Sequence, residues 1–303
     1  MVAHSRGDRV FERMNLIFLT LLMLLVAYPL YFVIIASISS PSAVNFGQVL
    51  FLPKGVNFTG YYFVFRDAAL WRGYLVTVIL TLVGTAVNLL LTFTGAYSLT
   101  KTHLPGIRLI MFLITFTMFF GGGLIPTYIL VSSLHLRNTL WSMILPGAVS
   151  VYNLILVRTY YMKSIPEEIL DASRIDGCSD IKLFLRIVLP LSAPIIATMA
   201  LFYGVGHWNQ FFSALIYISD EKLYPLQLVL RNMLLASKTA MTDMISGGGN
   251  MTGDNARYLA ELMQRAEILK YAVIIVSTLP VLAVYPFLQK YFMRGIMAGS
   301  LKG

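Results

Sequence analysis

The sequence is poor in cysteine, in acid and in charge of either sign. Its one thiol, Cys178, can form neither an internal disulfide nor a zinc site. Charged residues fill only 12% of 303 positions and apolar ones 57%, far from the roughly 25% charge of soluble domains. Too little polar surface remains to cover a globule of this length, which excludes a water-soluble fold and makes the bilayer the natural solvent. Lys and Arg outnumber Asp and Glu by 23 to 14, a net charge of +9. In a soluble chain that excess would suggest nucleic acid; here no nucleic-acid partner is expected, because the cations have a topological role.

None of the 14 acids lies in the middle of a long apolar run. Ion-coupled carriers keep an ionisable group at membrane depth, where it acts as the switch, so no ion-driven engine is evident. A nucleotide engine is missing too. No G-x-x-x-x-G-K-[ST] occurs, and the clusters Gly121 to Gly123 and Gly247 to Gly249 have neither the Lys nor the strand-turn-helix setting. The first reads as helix packing or a loosened helix end, the second as a flexible loop. His4, His103, His135 and His207 fall on separate segments without metal-ligand spacing. No metal, cofactor or catalytic site is expected, and the chain reads as a non-enzyme. An ion-coupled secondary carrier and a polytopic membrane enzyme are the rival readings.

What is present is a series of long apolar runs: Met14 to Ala36, Leu75 to Leu99, Ile107 to Val131, Trp141 to Val157, Ile187 to Ile218 and Ile268 to Phe287. Most reach the roughly 20 residues that cross hydrocarbon as helix. The fourth, the shortest, contains Pro146 and Gly147, tolerated where neighbouring helices satisfy the freed backbone groups. The predicted fold is all-α, a polytopic membrane protein of six transmembrane helices. The first run is longer than a signal-peptide core and carries Tyr28, Pro29 and Tyr31, so it is read as uncleaved. With both termini inside, 13 of the 23 cations fall on the shorter inner segments, and the orientation is N-in, C-in. The expected organisation is a cytoplasmic N-terminus (1–13), a first transmembrane helix (14–36) and an outer loop (37–74). A five-helix core (75–291) follows, with a cytoplasmic loop at 158–186 and an outer loop at 219–267, and a cytoplasmic tail (292–303) ends the chain.

Neutral polar residues stand within these runs: Asn88, Thr92 and Thr94 in the second, Asn153 in the fourth, His207, Asn209 and Gln210 in the fifth. They read either as interhelical hydrogen bonds or as a translocation path for hydroxyl-rich solutes, which such groups serve without demanding a charge.

The inner loop after the fourth run carries the most information. Ser164 with Glu167 reads as a capping box, and Pro166 suits a first turn. Ile165, Ile169, Ala172 and Ile175 recur at helical spacing, and Gly177 stands where a left-handed stop needs glycine. The pattern predicts an amphipathic helix of about three turns, too short to be stable alone. Its apolar face would dock on lipid, on the rest of the chain, or in a partner's groove with Glu167, Glu168, Asp171 and Arg174 at the rim.

The register Asp171-Ala172-Ser173, three residues, Gly177, nine residues, Ile187, one residue, Leu189-Pro190 resembles the EAA signature of binding-protein-dependent ABC import permeases. Asp171 replaces the usual Glu and Ser173 the second Ala. The ending Arg294 to Gly303 is similar to the tail of the second permease in the maltose-importer group. The run Gly204 to Leu230, with His207-Trp-Asn-Gln-Phe-Phe, resembles permeases for complex oligosaccharides, the pectin and alginate types.

The resemblance implies a type I ABC importer permease fold and a role in ATP-driven import of oligosaccharides. It implies a second homologous permease, two ATPase subunits (or a homodimer), an extracytoplasmic solute-binding protein and the lipid bilayer as partners, with ATP and Mg bound by the ATPase subunits. Glu167, Glu168, Asp171, Ala172, Ser173, Gly177, Leu189 and Pro190 would form the ATPase-coupling surface. Gly299, Lys302 and Gly303 would reach the nucleotide-binding dimer. Asn88, Asn153, His207, Asn209 and Gln210 are the candidate translocation path, and the outer segment near 236–255 matches the loop that related permeases insert into the binding protein. From Tyr217 to Glu267 five basic residues face six acidic ones, so no cationic funnel for an acidic sugar is expected there.

Overall fold

The computed structural model describes residues 6–101, 104–235, 269–283 and 286. The expected tail contacts Gly299, Lys302 and Gly303 and the outer segment 236–255 lie outside the described residues. Among those described there is no β-strand, and the chain is built from helices and turns. They are α1 (Arg6–Ser37), α2 (Pro41–Asn45), α3 (Thr59–Arg66), α4 (Ala68–Ser98), α5 (Ile107–Phe119), α6 (Leu124–Ser133) and α7 (Trp141–Ile144), which a 3-10 turn extends to Gly147. Next come α8 (Val151–Ser164), α9 (Glu167–Ile175), α10 (Asp180–Leu183), a π-helical turn (Phe184–Val188), α11 (Leu189–Leu191), α12 (Ala193–Trp208) and α13 (Phe212–Tyr217). Two apolar helices, α14 (Leu226–Leu235) and α15 (Leu269–Ala283), complete the described chain.

Among the described residues two helices, α1 and α4, are each long and apolar enough to cross a membrane, and three bent pairs, each counted as one span, bring the crossings to five. Of the sixth expected span, Ile268 to Phe287, the described residues show the apolar helix α15. The bends divide runs that hydropathy joins. α5 and α6 meet at 114° across Gly121 to Gly123, where Gly123 has φ +85° and Gly121 has open space around it. This cluster is therefore a loosened helix end and not a packing site. The fourth span bends by 54° between Gly147 and Val151. The expected continuous fifth span from Ile187 to Ile218 is corrected: its start belongs to the segment Asp180–Leu191, which meets α12 at 81°, and α13 follows as a separate helix. Pro190 and Pro194 withdraw two backbone donors around Ser192, and a π turn precedes them; each breaks the regular i to i−4 ladder. The second span starts at Ala68, seven residues before Leu75.

The chain divides into two compact units. In the first, which includes 6–67, α1 has no buried residue in its most apolar window. At its end Ile35, Ala43 and Val49 form a small cluster, and Ser40 caps α2 by accepting the Ala43 N–H at 3.4 Å.

The second unit, which includes 68–229, is organised around α4. Toward one end, Val76 and Leu80 pack with Met143, Ile144, Ala214, Ile218 and Leu228. Toward the other, Phe93, Ala96 and Leu99 pack with Leu154, Val157 and Tyr161 of α8, with Leu183, Phe184 and Val188, and with Met199 and Tyr203 of α12. Along α4 a polar layer separates the two clusters.

Candidate functional site

That layer begins at Asn88, which is fully buried. Its Nδ2 donates to the carbonyls of Gly147 at 2.9 Å and Ala148 at 2.8 Å. These are backbone groups that the bend between α7 and α8 releases, so a side chain of α4 satisfies what Pro146 and Gly147 disrupt. With its amide hydrogens so engaged, Asn88 turns Oδ1 toward His207 Nε2, 2.7 Å away. The contact requires the proton on Nε2. His207 Nδ1 lies 3.3 Å from Gln210 Oε1, and Gln210 Nε2 donates to the Met143 carbonyl at 3.0 Å.

Gly84 makes this approach possible. It stands one turn before Asn88 on α4, and a Cβ there would lie 2.4 Å from His207 Nε2. A second knot sits beside the first. Thr92 and Tyr203 share a hydrogen bond of 2.7 Å, and Tyr203 Oη accepts the Ser150 N–H at 3.4 Å, inside the same bend.

The structure thus brings Asn88, His207 and Gln210 together. Asn153 is buried on α8, where its N–H is capped by Ser150. Asn209 stays apart, exposed and bonded to the Val205 carbonyl of its own helix. Three members that sequence reasoning passed over are Gly84, Ser150 and Tyr203. The signal for Gly84 was its i, i+4 spacing to Asn88, which places both on one face.

At the far end of α4 lies the segment that carries the EAA register. α9 is a nine-residue helix with no buried residue. The expected capping box does not form. Ser164 ends α8, Pro166 itself occupies the N-cap position with φ −62° and ψ 134°, and no side chain caps α9. Ile165 is extended, at φ −101° and ψ 115°, as the residue before proline must be. It drops into the core and does not join the face expected of it. The helix is correspondingly shorter than the three turns expected, at nine residues.

α9 has two faces. Leu170 and, just past the helix, Cys178 pack on the core. Ile169 and Ile175 are 41% and 86% exposed, and Ala172 between them is exposed as well. Glu167 and Glu168 occupy the first turn, where acids complement the helix dipole. Asp171 accepts from Arg174 at 2.8 Å.

Gly177, at φ +76°, ends the helix in a Schellman motif. Its N–H meets the Arg174 carbonyl at 3.0 Å, and the Cys178 N–H meets the Ser173 carbonyl at 3.0 Å. A Cβ on Gly177 would meet nothing within 4 Å, so the requirement for glycine here is one of backbone and not of space.

Ser179 then caps α10. Asp180, its first residue, accepts from Lys101 Nζ at 2.7 Å and from Tyr97 Oη at 3.3 Å. The Lys101 hydrogen bond holds the Asp180 carboxyl below its ordinary range. Burial pulls Lys101 down, but the bonds to Asp180 and Tyr97 outweigh it and raise the ammonium above its ordinary value. Leu189 packs half-buried on the core, and Pro190 sits in the first turn of α11.

Known proteins match this arrangement over nearly its full length. The protein LplC of Bacillus subtilis (strain 168) is 40% identical over 300 residues, covering 99% of this chain and 97% of that protein. The polygalacturonan/rhamnogalacturonan transport system permease YtcP of the same organism is 36% identical, covering 98% and 99%. In a crystal structure of a bacterial ABC transporter involved in the import of the acidic polysaccharide alginate, one chain superposes with a TM-score of 0.83 at 32% identity, over 96% of this chain and 100% of that one. The family model for the inner membrane component of binding-protein-dependent transport systems matches residues 96–298, from the last turn of α4 through α9 and α12. The chain belongs to that family: it is a multi-pass membrane permease with the type I ABC importer fold, a transport component and not an enzyme.

Proposed function

We propose that the chain is the permease subunit of an ATP-driven importer of complex, uronate-bearing oligosaccharides, and that α9 is the surface through which partner ATPase subunits drive it. The observation that carries the proposal is the uncovered apolar strip Ile169, Ala172 and Ile175 on a helix too short to stand alone. Lipid would leave Glu167, Glu168 and Asp171 beside hydrocarbon; a protein groove receives the strip and solvates the acids at its rim.

In this reading the membrane is crossed six times with both termini inside, and α9 faces the cytoplasm. A second, homologous permease completes the pathway, two ATPase subunits hold ATP and Mg, and an extracytoplasmic binding protein delivers the sugar. Closure of the nucleotide dimer displaces α9, and its two anchors, Leu170 and the stop at Gly177, pass the displacement to the core. Two relatives support the substrate class, since polygalacturonan and alginate are both polymers of uronic acids. With acids and bases nearly balanced in the outer loop, recognition of that charge falls to the binding protein.

Gly177 supplies the test. A β-branched residue is strained at φ +76°, whereas Asn tolerates this region. In proteoliposomes holding the whole complex and its binding protein, Gly177→Val lowers uptake of oligogalacturonides about tenfold or more, while Gly177→Asn stays within about threefold of the native chain. Equal uptake by the two variants would sink the role of this turn. Uptake of neutral arabino-oligosaccharides in preference to oligogalacturonides would sink the substrate class.

A further inference from the structure

Displacement of α9 can leave it by two routes. The covalent one runs through α10, the π turn and the 81° bend before α12. Both features bend readily, because each has surrendered regular ladder bonds. The second route is the contact of Asp180 with Lys101 and Tyr97. Asp180 lies three residues beyond Gly177, and its carboxylate is hydrogen-bonded to Tyr97 of α4 and to Lys101 just past it. Lys101, just past α4, has a side chain only 14% exposed, and its ammonium also stands 4.7 Å over the Tyr97 ring. Tyr97 packs in turn on Phe184, the first residue of the π turn, with ring centroids 5.0 Å apart. Each charge suits its helix end, a cation after the C-terminus of α4 and an acid at the N-terminus of α10.

We infer that the Lys101–Asp180 pair, seated on Tyr97, is the strut that carries displacement of α9 into α4, and so toward the Asn88–His207 layer. Lys101 and Asp180 are positioning residues: they touch neither sugar nor nucleotide and act through α4. The inference rests on the proposed coupling role of α9. It adds that the driven element is the unbroken helix α4, in parallel with the bent chain leading to α12. Asp180 remains 70% exposed, so the pair is partly screened and its expected effect moderate.

The test uses the complete transporter in proteoliposomes with oligogalacturonides as probe, and reads uptake per ATP hydrolysed. Lys101→Gln and Asp180→Asn each lower that ratio about fivefold, the scale on which a partly screened pair biases an equilibrium, with the ATPase subunits still bound. Lys101→Arg keeps the ratio within about twofold. The exchange Lys101→Asp with Asp180→Lys recovers at least half of the loss, short of all because both charges then oppose their helix dipoles. An unchanged ratio in the single variants, loss of the ATPase subunits from them, or no recovery in the exchange each overturns the strut. A failure of the coupling surface itself shows elsewhere: Ile175→Glu would then leave ATPase co-purification and uptake intact.

Discussion

Of the three breaks that interrupt described spans of the second unit, two are mended in different ways. The 54° bend between α7 and α8 is closed from outside. Asn88 of α4 takes two of its carbonyls and Tyr203 of α12 takes one of its amides. The 81° bend between α11 and α12 is closed largely from within. Ser192 returns its hydroxyl to the Val188 carbonyl at 2.6 Å and its N–H to Leu189 at 3.0 Å. From another helix it receives the Tyr160 hydroxyl, on the Leu191 carbonyl at 3.2 Å. A bend stitched by neighbours cannot change angle without breaking buried hydrogen bonds; one stitched by its own turn can. The first therefore belongs to a rigid frame that can shift only as one body with α4, and the second, next to the proposed coupling surface, is where the angle can change.

The sharpest way to break this contrast is to open the first bend. Gly84→Ala places a methyl 2.4 Å from His207 Nε2. The ring must leave, and Asn88 Oδ1 loses its donor in a buried site. Stranding such groups costs about 2–4 kcal/mol, so the purified variant should melt several degrees lower in detergent. Gly206→Ala on α12 meets nothing within 4 Å and should remain within about 0.5 kcal/mol of the native chain. Equal melting of the two variants would remove the polar layer from the frame.

The second bend should respond weakly to the matching change. Ser192→Ala deletes the hydroxyl bond to Val188 but leaves the Ser192 N–H and the Ile196 N–H on its own carbonyl at 2.9 Å. The loss should be about 1 kcal/mol or less. A melting shift as large as that of Gly84→Ala would show that both bends are frame.

How much of this was legible beforehand depends on whether the signal was local. The apolar runs, the stop at Gly177 and the need for partners around Pro146 could be read because each follows from a few adjacent residues. The bend at Ser192 could not: a hydropathy window averages across Pro190 and Pro194 and returns one long span. Ser164 and Glu167 matched a capping box, yet Pro166 between them fixed the backbone in a way that left Ser164 on the preceding helix. Asn88 and His207 were identifiable as polar residues in a membrane, but 119 positions separate them, and no periodicity says which helices meet. For the same reason nothing in the sequence pairs Lys101 with Asp180, 79 positions apart.

The smallest expected effect concerns pH. Asp180 has its carboxyl held below the ordinary carboxylate value by Lys101. Its stabilisation is therefore complete above that ordinary value and is lost as pH falls through the depressed one. Lys101 is raised despite its burial, so its share is complete below the ordinary lysine value and is lost as pH rises through the raised one. Between about pH 5 and pH 9 neither group changes charge, and the strut should be indifferent to acidity. The ratio of uptake per ATP between the native chain and Asp180→Asn should stay constant across that window. A step near pH 6 to 7, where an imidazole titrates, would assign the coupling to a histidine.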